Sequence, residues 1–317
     1  MNTIPTIREI HGQRKRTDGV GIEVEVEALT PLPAEIGGVW LTKNDDSLRN
    51  YHYEYICRQP IKVGSDKISH IKVLTDKLNT PAIKLDMSHR TSVHVHRNIQ
   101  HFTPVQVWTT IIAYWMIEDA LLSFCGEGRR GNLFCLPVSS CDGIINRCIK
   151  DLNNPVPFSG FPAHSCKYGG QNLATVSALG SLEYRSMRGT TDPEIIDKWS
   201  SALWYLGEKA RQFQDPAALM DAYLDTSKDQ FLHALLPSDF VHLVTQSPGY
   251  EGLIRHNVIR LVDLAYAKED WLAWQSAFSS KEARSSKLNY PVFLDSEFDT
   301  PPMWDLSGNI VTPNILE

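Results

Sequence analysis

Gly21-Ile22-Glu23-Val24-Glu25-Val26-Glu27 places a carboxylate at every second position and an aliphatic residue at each position between. A β-strand turns successive side chains to opposite faces. The stretch therefore predicts a strand over 20–29, with Glu23, Glu25 and Glu27 on one face and Ile22, Val24 and Val26 on the other. Like charges on one strand face repel, and an unpaired carboxylate is costly to bury, so a cationic partner is expected. Divalent metal ions prefer oxygen ligands and can bridge carboxylates to phosphates. A solvated acidic face, with the valines turned inward, accounts for the same alternation, and at this stretch both readings stay open.

Working outward, Thr30-Pro31-Leu32-Pro33 closes the strand. Further extended segments are predicted at 39–42 and 51–57, separated by the turn-forming Lys43-Asn44-Asp45-Asp46-Ser47. Ile68, Ile71, Leu74 and Leu78 fall at helical spacing within 66–79, and 91–95 reads as another strand. Thr103-Pro104 combines an N-cap with proline at the first helical position, opening an apolar helix that runs to about 125. A glycine-rich loop over 126–131 and a shorter helix over 142–152 follow. A Pro/Gly-rich stretch at 153–171 leads to two strands, 173–178 and 182–187, joined as a hairpin at Gly180-Ser181. Helices are predicted at 192–214, 217–224, 228–245 and 251–276, before an irregular proline-containing tail. Strands in front and helices behind point to an α+β fold rather than a doubly wound parallel sheet. The expected organisation is a polar lead at 1–18, a catalytic domain at 19–215 and a mostly helical region at 216–317 packed on it.

With 317 residues, 42% of them hydrophobic, the chain can bury a sizeable core. Its formal charge of −6 argues against general nucleic-acid binding. The short basic run Arg14-Lys15-Arg16 reads as a solvated tail. Six cysteines without a CxxC pair signal neither a zinc ribbon nor a disulfide framework, and reduced thiols are expected. The N-terminus lacks an apolar leader, and the most apolar stretch, 105–124, is interrupted by Glu118 and Asp119. These features predict a cytoplasmic protein without a membrane span.

Four more segments carry chemistry. They are Asp45-Asp46-Ser47-Leu48, Glu54 on the strand at 51–57, His94-Val95-His96, and Glu183-Tyr184-Arg185. His94 and His96 alternate as the glutamates do, so their imidazoles share a face and suit a metal or a phosphate. Glu183 and Arg185 also share a face. They offer a metal ligand beside a guanidinium suited to bidentate phosphate recognition, and an in-strand salt bridge explains the pair equally well. Arg188 and the loop residues Arg129 and Arg130 could neutralise a nucleotide or an acidic substrate, or be ordinary surface charge. Lys167, Tyr168 and Asn172 precede the predicted hairpin as further contact candidates. Trp108, Tyr114 and Trp115 read as core.

In order, GIEVEVE, DDSL, Glu54 followed six residues later by Pro60, SVHVHRN and LEYRSMRGT resemble the motifs of the putative amidoligases in the glutamine synthetase-like carboxylate-amine ligase superfamily. The resemblance spans residues 20–200. It implies a curved antiparallel sheet whose concave face holds ATP and two or more Mg²⁺ or Mn²⁺ ions. By position, Glu23, Glu25, Glu54, His94 and Glu183 match metal ligands. Arg185 matches the arginine that contacts the transferring phosphate. His96 would lie close to the nucleotide phosphates. Asp45 matches the aspartate of a D-G-S turn in which Asp46 replaces glycine, and Glu27 is an additional acid. Asp45, Asp46 and Glu27 are the candidates for a base that deprotonates the incoming ammonium.

The implied reaction joins a carboxylate to an amine through an acyl-phosphate. Phosphoryl transfer requires positioning and charge neutralisation, which metal-bound carboxylates and an arginine supply. The acid and amine range over amino acids, peptides, cell-wall components and modified nucleobases, and an oligomer is compatible with the helical C-terminal region. Competing readings are a phosphotransferase on the same fold, a metal-dependent hydrolase working through His94 and His96, and a non-catalytic nucleotide-binding protein. If the carboxylates only repel one another, removing Glu23, Glu54 or Glu183 should leave the metal-free fold intact or slightly more stable.

Overall fold

Val20–Ala28 forms the strand that the alternation predicts. Val20, Ile22, Val24 and Val26 are buried in the apolar core, and the glutamates occupy the other face. In a computed structural model, residues 4–64, 66–126, 128–161, 168–279, 303–304 and 310–311 are described. Val20–Ala28 is β1. Trp40–Lys43 is β2, Tyr51–Cys57 β3, Ser92–Asn98 β4, Gln171–Asn172 β5 and Ser181–Arg188 β6. They form one antiparallel sheet in the order β2-β3-β1-β4-β6-β5. The architecture is α+β. A separate two-stranded ladder pairs Met303–Trp304 with Ile310–Val311.

The helices are α1 (Ile7–His11), α2 (Lys67–Leu78), α3 (Pro104–Cys125), α4 (Asp142–Asp151), α5 (Ala174–Leu179) and α6 (Pro193–Ala210). After them come α7 (Pro216–Asp225), α8 (Lys228–Leu235), α9 (Ser238–Thr245), α10 (Tyr250–Ala265) and α11 (Trp271–Ser276). Helix α3 packs on β6, α6 packs on β4 and β1, and α7, α9 and α10 pack on α3. This places α3 between the sheet and the C-terminal helices, which is why its apolar residues run nearly all round it and almost every one is buried. Thr103 accepts the Gln106 N–H while the Gln106 side chain accepts the Thr103 N–H, so the start of α3 is closed by a capping box. None of the helices is long and apolar enough to cross a membrane among the described residues.

The predicted hairpin at 173–187 is half wrong. Ser181–Arg188 is a strand, but 174–179 is the short helix α5, and the partner strand is only Gln171–Asn172. The Asn172 side chain explains the break. Its Oδ1 accepts the Ala174 N–H at 3.0 Å, and its carbonyl accepts the Thr175 hydroxyl at 3.0 Å, turning the chain into a helix rather than onward as a strand. Gly180 then caps α5 in the left-handed conformation (φ 70°), donating its N–H to the Thr175 and Val176 carbonyls. A Cβ at Gly180 would lie 2.4 Å from Gln100 Cγ and 2.5 Å from Gln13 Oε1. Gly180→Ala should therefore destabilise the protein by roughly 2 kcal/mol or more, read as a lower denaturant midpoint with an unchanged slope.

Two other predicted helices are each broken in two. The segment 228–245 is interrupted at Leu236-Pro237, where proline forces the preceding residue into extended backbone (φ −126°, ψ 154°). The segment 251–276 is interrupted after Ala265, and α11 starts afresh from Asp270, whose carboxylate accepts the Ala273 N–H. The predicted tail beyond 276 lies largely outside the described residues.

Candidate functional site

Register brings the predicted acids and imidazoles together on the face of the sheet opposite the core. Glu23 stands across from His94 on β4, Glu25 across from Glu54 on β3, and His96 across from Glu183 on β6. Between Val93 and Val95 on β4 the pairing with β6 slips by one residue, so β6 carries a bulge around Arg185-Ser186. A bulge re-aims the side chains on either side of it. Ser186 and Tyr184 contact Tyr114 on the core side, while Arg185 stays with Glu183.

The cluster is densely connected. His94 Nδ1 lies 3.2 Å from Glu23 Oε2, and its Nε2 lies 2.6 Å from the Ser92 hydroxyl, which also contacts Glu25. Arg185 makes a close ion pair with Glu183, and its Nη1 is 3.5 Å from His94 Nδ1. Asn172 Nδ2 donates to the other Glu183 oxygen at 2.7 Å. His96 Nδ1 is 3.1 Å from the Ser181 hydroxyl. Its Nε2 approaches Glu23 Oε1 at 3.1 Å without the alignment of a hydrogen bond. Ser92 and Ser181 are contributors that motif reading missed. Each lies two residues before a candidate on the same strand face, Ser92 before His94 and Ser181 before Glu183, so period two was the available signal.

Charge is unevenly compensated across the face. Burial by itself would raise the Glu23 pKa, but the charge of His96 and the charge and hydrogen bond of His94 prevail and hold its carboxyl well below the usual carboxylate range. Glu183 is likewise held low. Burial is opposed there first by Arg185, then by His96 and His94. Burial would lower the His96 pKa, yet Glu23 and Glu183 raise it. Glu54 moves the other way: burial, then the negative charge of Glu23, push it well above its ordinary value despite Lys43, whose Nζ is 3.5 Å away. Ionised Glu54 thus lacks sufficient positive charge nearby.

These donors suit a divalent cation. Ligand atoms from Glu23, Glu54 and His94 lie within 4.8 Å of one another, and so do those from Glu23, His96 and Glu183. An ion at about 2.0–2.3 Å from each ligand would fit such spacings. His96 Nε2, buried without a hydrogen-bond partner, is an open ligand position in the second group. Arg185 Nε is also buried without a partner. The adjoining cleft, bounded by Arg16, Arg58, Leu41 and Leu179, measures about 70 Å³. Pockets that enclose a small molecule usually exceed roughly 300 Å³, so this cleft takes part of a nucleotide at most.

The remaining candidates are placed differently. Glu27 is buried, with its oxygens accepting the Arg49 N–H at 2.8 Å and the Ser88 N–H at 3.2 Å, so it organises loops. Asp45 Oδ1 accepts the Ser47 N–H at 2.8 Å, and the Leu48 N–H returns to the Asp45 carbonyl at 3.0 Å, closing a turn. Asp46 is exposed and its φ is not positive, so the turn does not require the glycine of the D-G-S pattern. Arg129 is buried, and its guanidinium donates to the Ser186 and Arg185 carbonyls at 2.9 and 2.7 Å, so it fastens β6 rather than presenting a free charge. Arg130 is exposed and reaches the Asp119 carbonyl. Arg188 pairs with Ser92 in register, and its guanidinium is packed against Gly126. Lys167 lies outside the described residues.

Arg97 follows His96 in the strand and so faces the core. Fully buried, it pairs with Asp18 and Glu208 and stacks over Phe102 and Trp204. No protein-family model matches this chain, and no curated protein matches it in sequence.

Proposed function

We propose that the chain is an ATP- and Mg-dependent carboxylate-amine ligase whose reaction centre is the acidic face of the sheet. The observation that carries this reading is the sharing of Glu23 between two three-ligand groups, with the Arg185 guanidinium at Glu183 and His94. Bound Mg·ATP would supply the phosphoryl group that activates a carboxylate toward an amine, with the metal neutralising charge on the phosphates. Glu23, Glu54 and His94 would hold one ion, and Glu23, His96 and Glu183 another. Ser92 fixes His94 and Glu25 relative to each other, and Asn172 orients Glu183. Arg185 offers planar N–H donors, including the unpartnered Nε, to an anionic oxygen. Glu27 is a poor candidate for the base because backbone N–H groups occupy both its oxygens, which leaves Asp45 and Asp46.

A metal-dependent hydrolase is the second reading. Two imidazoles among the ligands and a cleft of about 70 Å³ favour it. Thermal unfolding with ATP alone, Mg²⁺ alone, both together, and Zn²⁺ or Mn²⁺ alone separates the two. The ligase reading expects an upward shift of several degrees that requires Mg²⁺ and ATP together and vanishes in Glu23→Ala. Stabilisation by Zn²⁺ or Mn²⁺ alone, with no effect of ATP, would replace it with the hydrolase reading. With binding established, amide products sought by mass spectrometry identify the acid and the amine.

A further inference from the structure

The short edge strand β5 has two residues and two faces. Asn172 pairs with Glu183 and turns toward the acidic cluster, while Gln171 pairs with Tyr184 and turns toward α3. On that second face lies a cavity of about 390 Å³. Trp115 and Glu118 of α3 line it, together with Leu136, Val138, Ile144 and Gln171. Its volume is within the range of pockets that enclose small organic molecules.

The polar groups in this apolar enclosure are incompletely matched. Glu118 has no solvent exposure. Its Oε2 accepts the Val138 N–H at 2.7 Å, and its Oε1 makes no aligned hydrogen bond, with the Tyr114 hydroxyl as a side-chain donor near the carboxylate. Gln171 is 3% exposed, and its amide makes no well-aligned hydrogen bond, the Tyr184 hydroxyl being its polar neighbour. Buried polar atoms are nearly always satisfied, so two such side chains on one cavity call for an occupant. No ion pair to Glu118 is present among the described residues, and the nearest charge in sequence is another carboxylate, Asp119. Arg147, the cation on the cavity wall, is exposed and donates to the Gly160 carbonyl.

We infer that this cavity is a binding site for a small organic cation, a primary amine on an apolar body, with its ammonium group held by Glu118 and the Gln171 amide oxygen. An ammonium has three donors and no acceptor, which matches two buried oxygens with acceptor capacity to spare. It also brings the positive charge that a buried carboxylate lacks. The rings of Trp115 and Tyr168 and the side chains of Leu136, Val138 and Ile144 give the apolar body its surface, and aromatic surfaces favour organic cations. The raised pKa of Glu118, about 8 through burial, is consistent with a carboxyl waiting for such a partner. The site is separate from the acidic face and does not rest on the ligase reading.

Benzylamine, with benzyl alcohol, benzamide and benzoate as isosteric controls, is the probe. Calorimetry and thermal unfolding of the full chain should show binding and stabilisation by benzylamine and at least tenfold weaker effects of the other three. Glu118→Gln keeps the shape and the Val138 contact while removing the charge, and it should weaken benzylamine at least tenfold. Gln171→Leu should weaken it severalfold. Glu23→Ala should bind benzylamine as the parent does, which keeps the result distinct from any failure of the acidic face. Absence of benzylamine binding to the parent protein would overturn the inference. So would equal binding of benzyl alcohol or benzamide, or a Glu118→Gln protein that binds benzylamine unchanged.

Discussion

Substituting Glu23 by glutamine should lower the affinity of the sheet face for Mn²⁺ by at least about 100-fold, because this carboxylate belongs to both three-ligand groups. Even outer partners of a metal ligand are worth about 10–100-fold, and Glu23 offers a ligand oxygen to each group. Glu27→Gln is the matched control. It lies on the same strand face two positions after Glu25, but its oxygens already accept the Arg49 and Ser88 N–H groups, so Mn²⁺ affinity should stay within about threefold of the parent. Titration followed by electron paramagnetic resonance reads both variants without any knowledge of the substrates. Equal losses in the two would mean that the face acts as a diffuse negative surface and not as a ligand shell.

Period-two reasoning recovered the face because it needs only a strand and an alternation. Glu23, Glu25, Glu54, His94, His96, Glu183 and Arg185 could all be assembled that way, since antiparallel register converts matching alternation into contact. What one strand at a time cannot show is how neighbouring strands compensate each other. The repulsion expected among the glutamates holds for Glu54, which Glu23 raises. It fails for Glu23 itself, which the imidazoles of His94 and His96 across β4 hold low. In the metal-free protein, removing Glu23 therefore deletes an attraction. Arg97 shows the same limit from the other side. Next to His96 on β4, it turns to the opposite face and lies buried, and only the fold brings Asp18 and Glu208 to its guanidinium. The α5 segment eluded the sequence because the β-branched Thr175 and Val176 suit a strand, whereas the Asn172 side chain, held by Glu183, accepts the Ala174 N–H and turns the chain there.

Glu118→Gln should remove a pH-dependent loss of stability expected of the parent protein between about pH 4.5 and pH 8. Burial, above all, raises the Glu118 carboxyl from 4.5 to about 8, with Asp119 adding to the rise and the Val138 N–H opposing it. A carboxyl with a raised folded pKa remains protonated in the native state after the unfolded chain has released its proton. Its contribution is therefore fully present below about pH 4.5 and declines as pH climbs through the window to about 8. At about 1.4 kcal/mol per pKa unit the decline amounts to on the order of 5 kcal/mol. The glutamine amide oxygen can still accept the Val138 N–H, so the substitution deletes the ionisation and keeps the contact. Glu54, also raised, contributes a slope of the same sign in both proteins, so the informative quantity is the difference between the two stability curves. Urea unfolding at intervals from pH 4 to pH 9 should give variant and parent nearly equal stability at the acid end, and a variant progressively more stable toward pH 8. A difference that stays flat across that window would show that Glu118 titrates as an ordinary hydrated carboxyl, and the charge-deficient surroundings of Glu118 beside β5 would lose their physical basis.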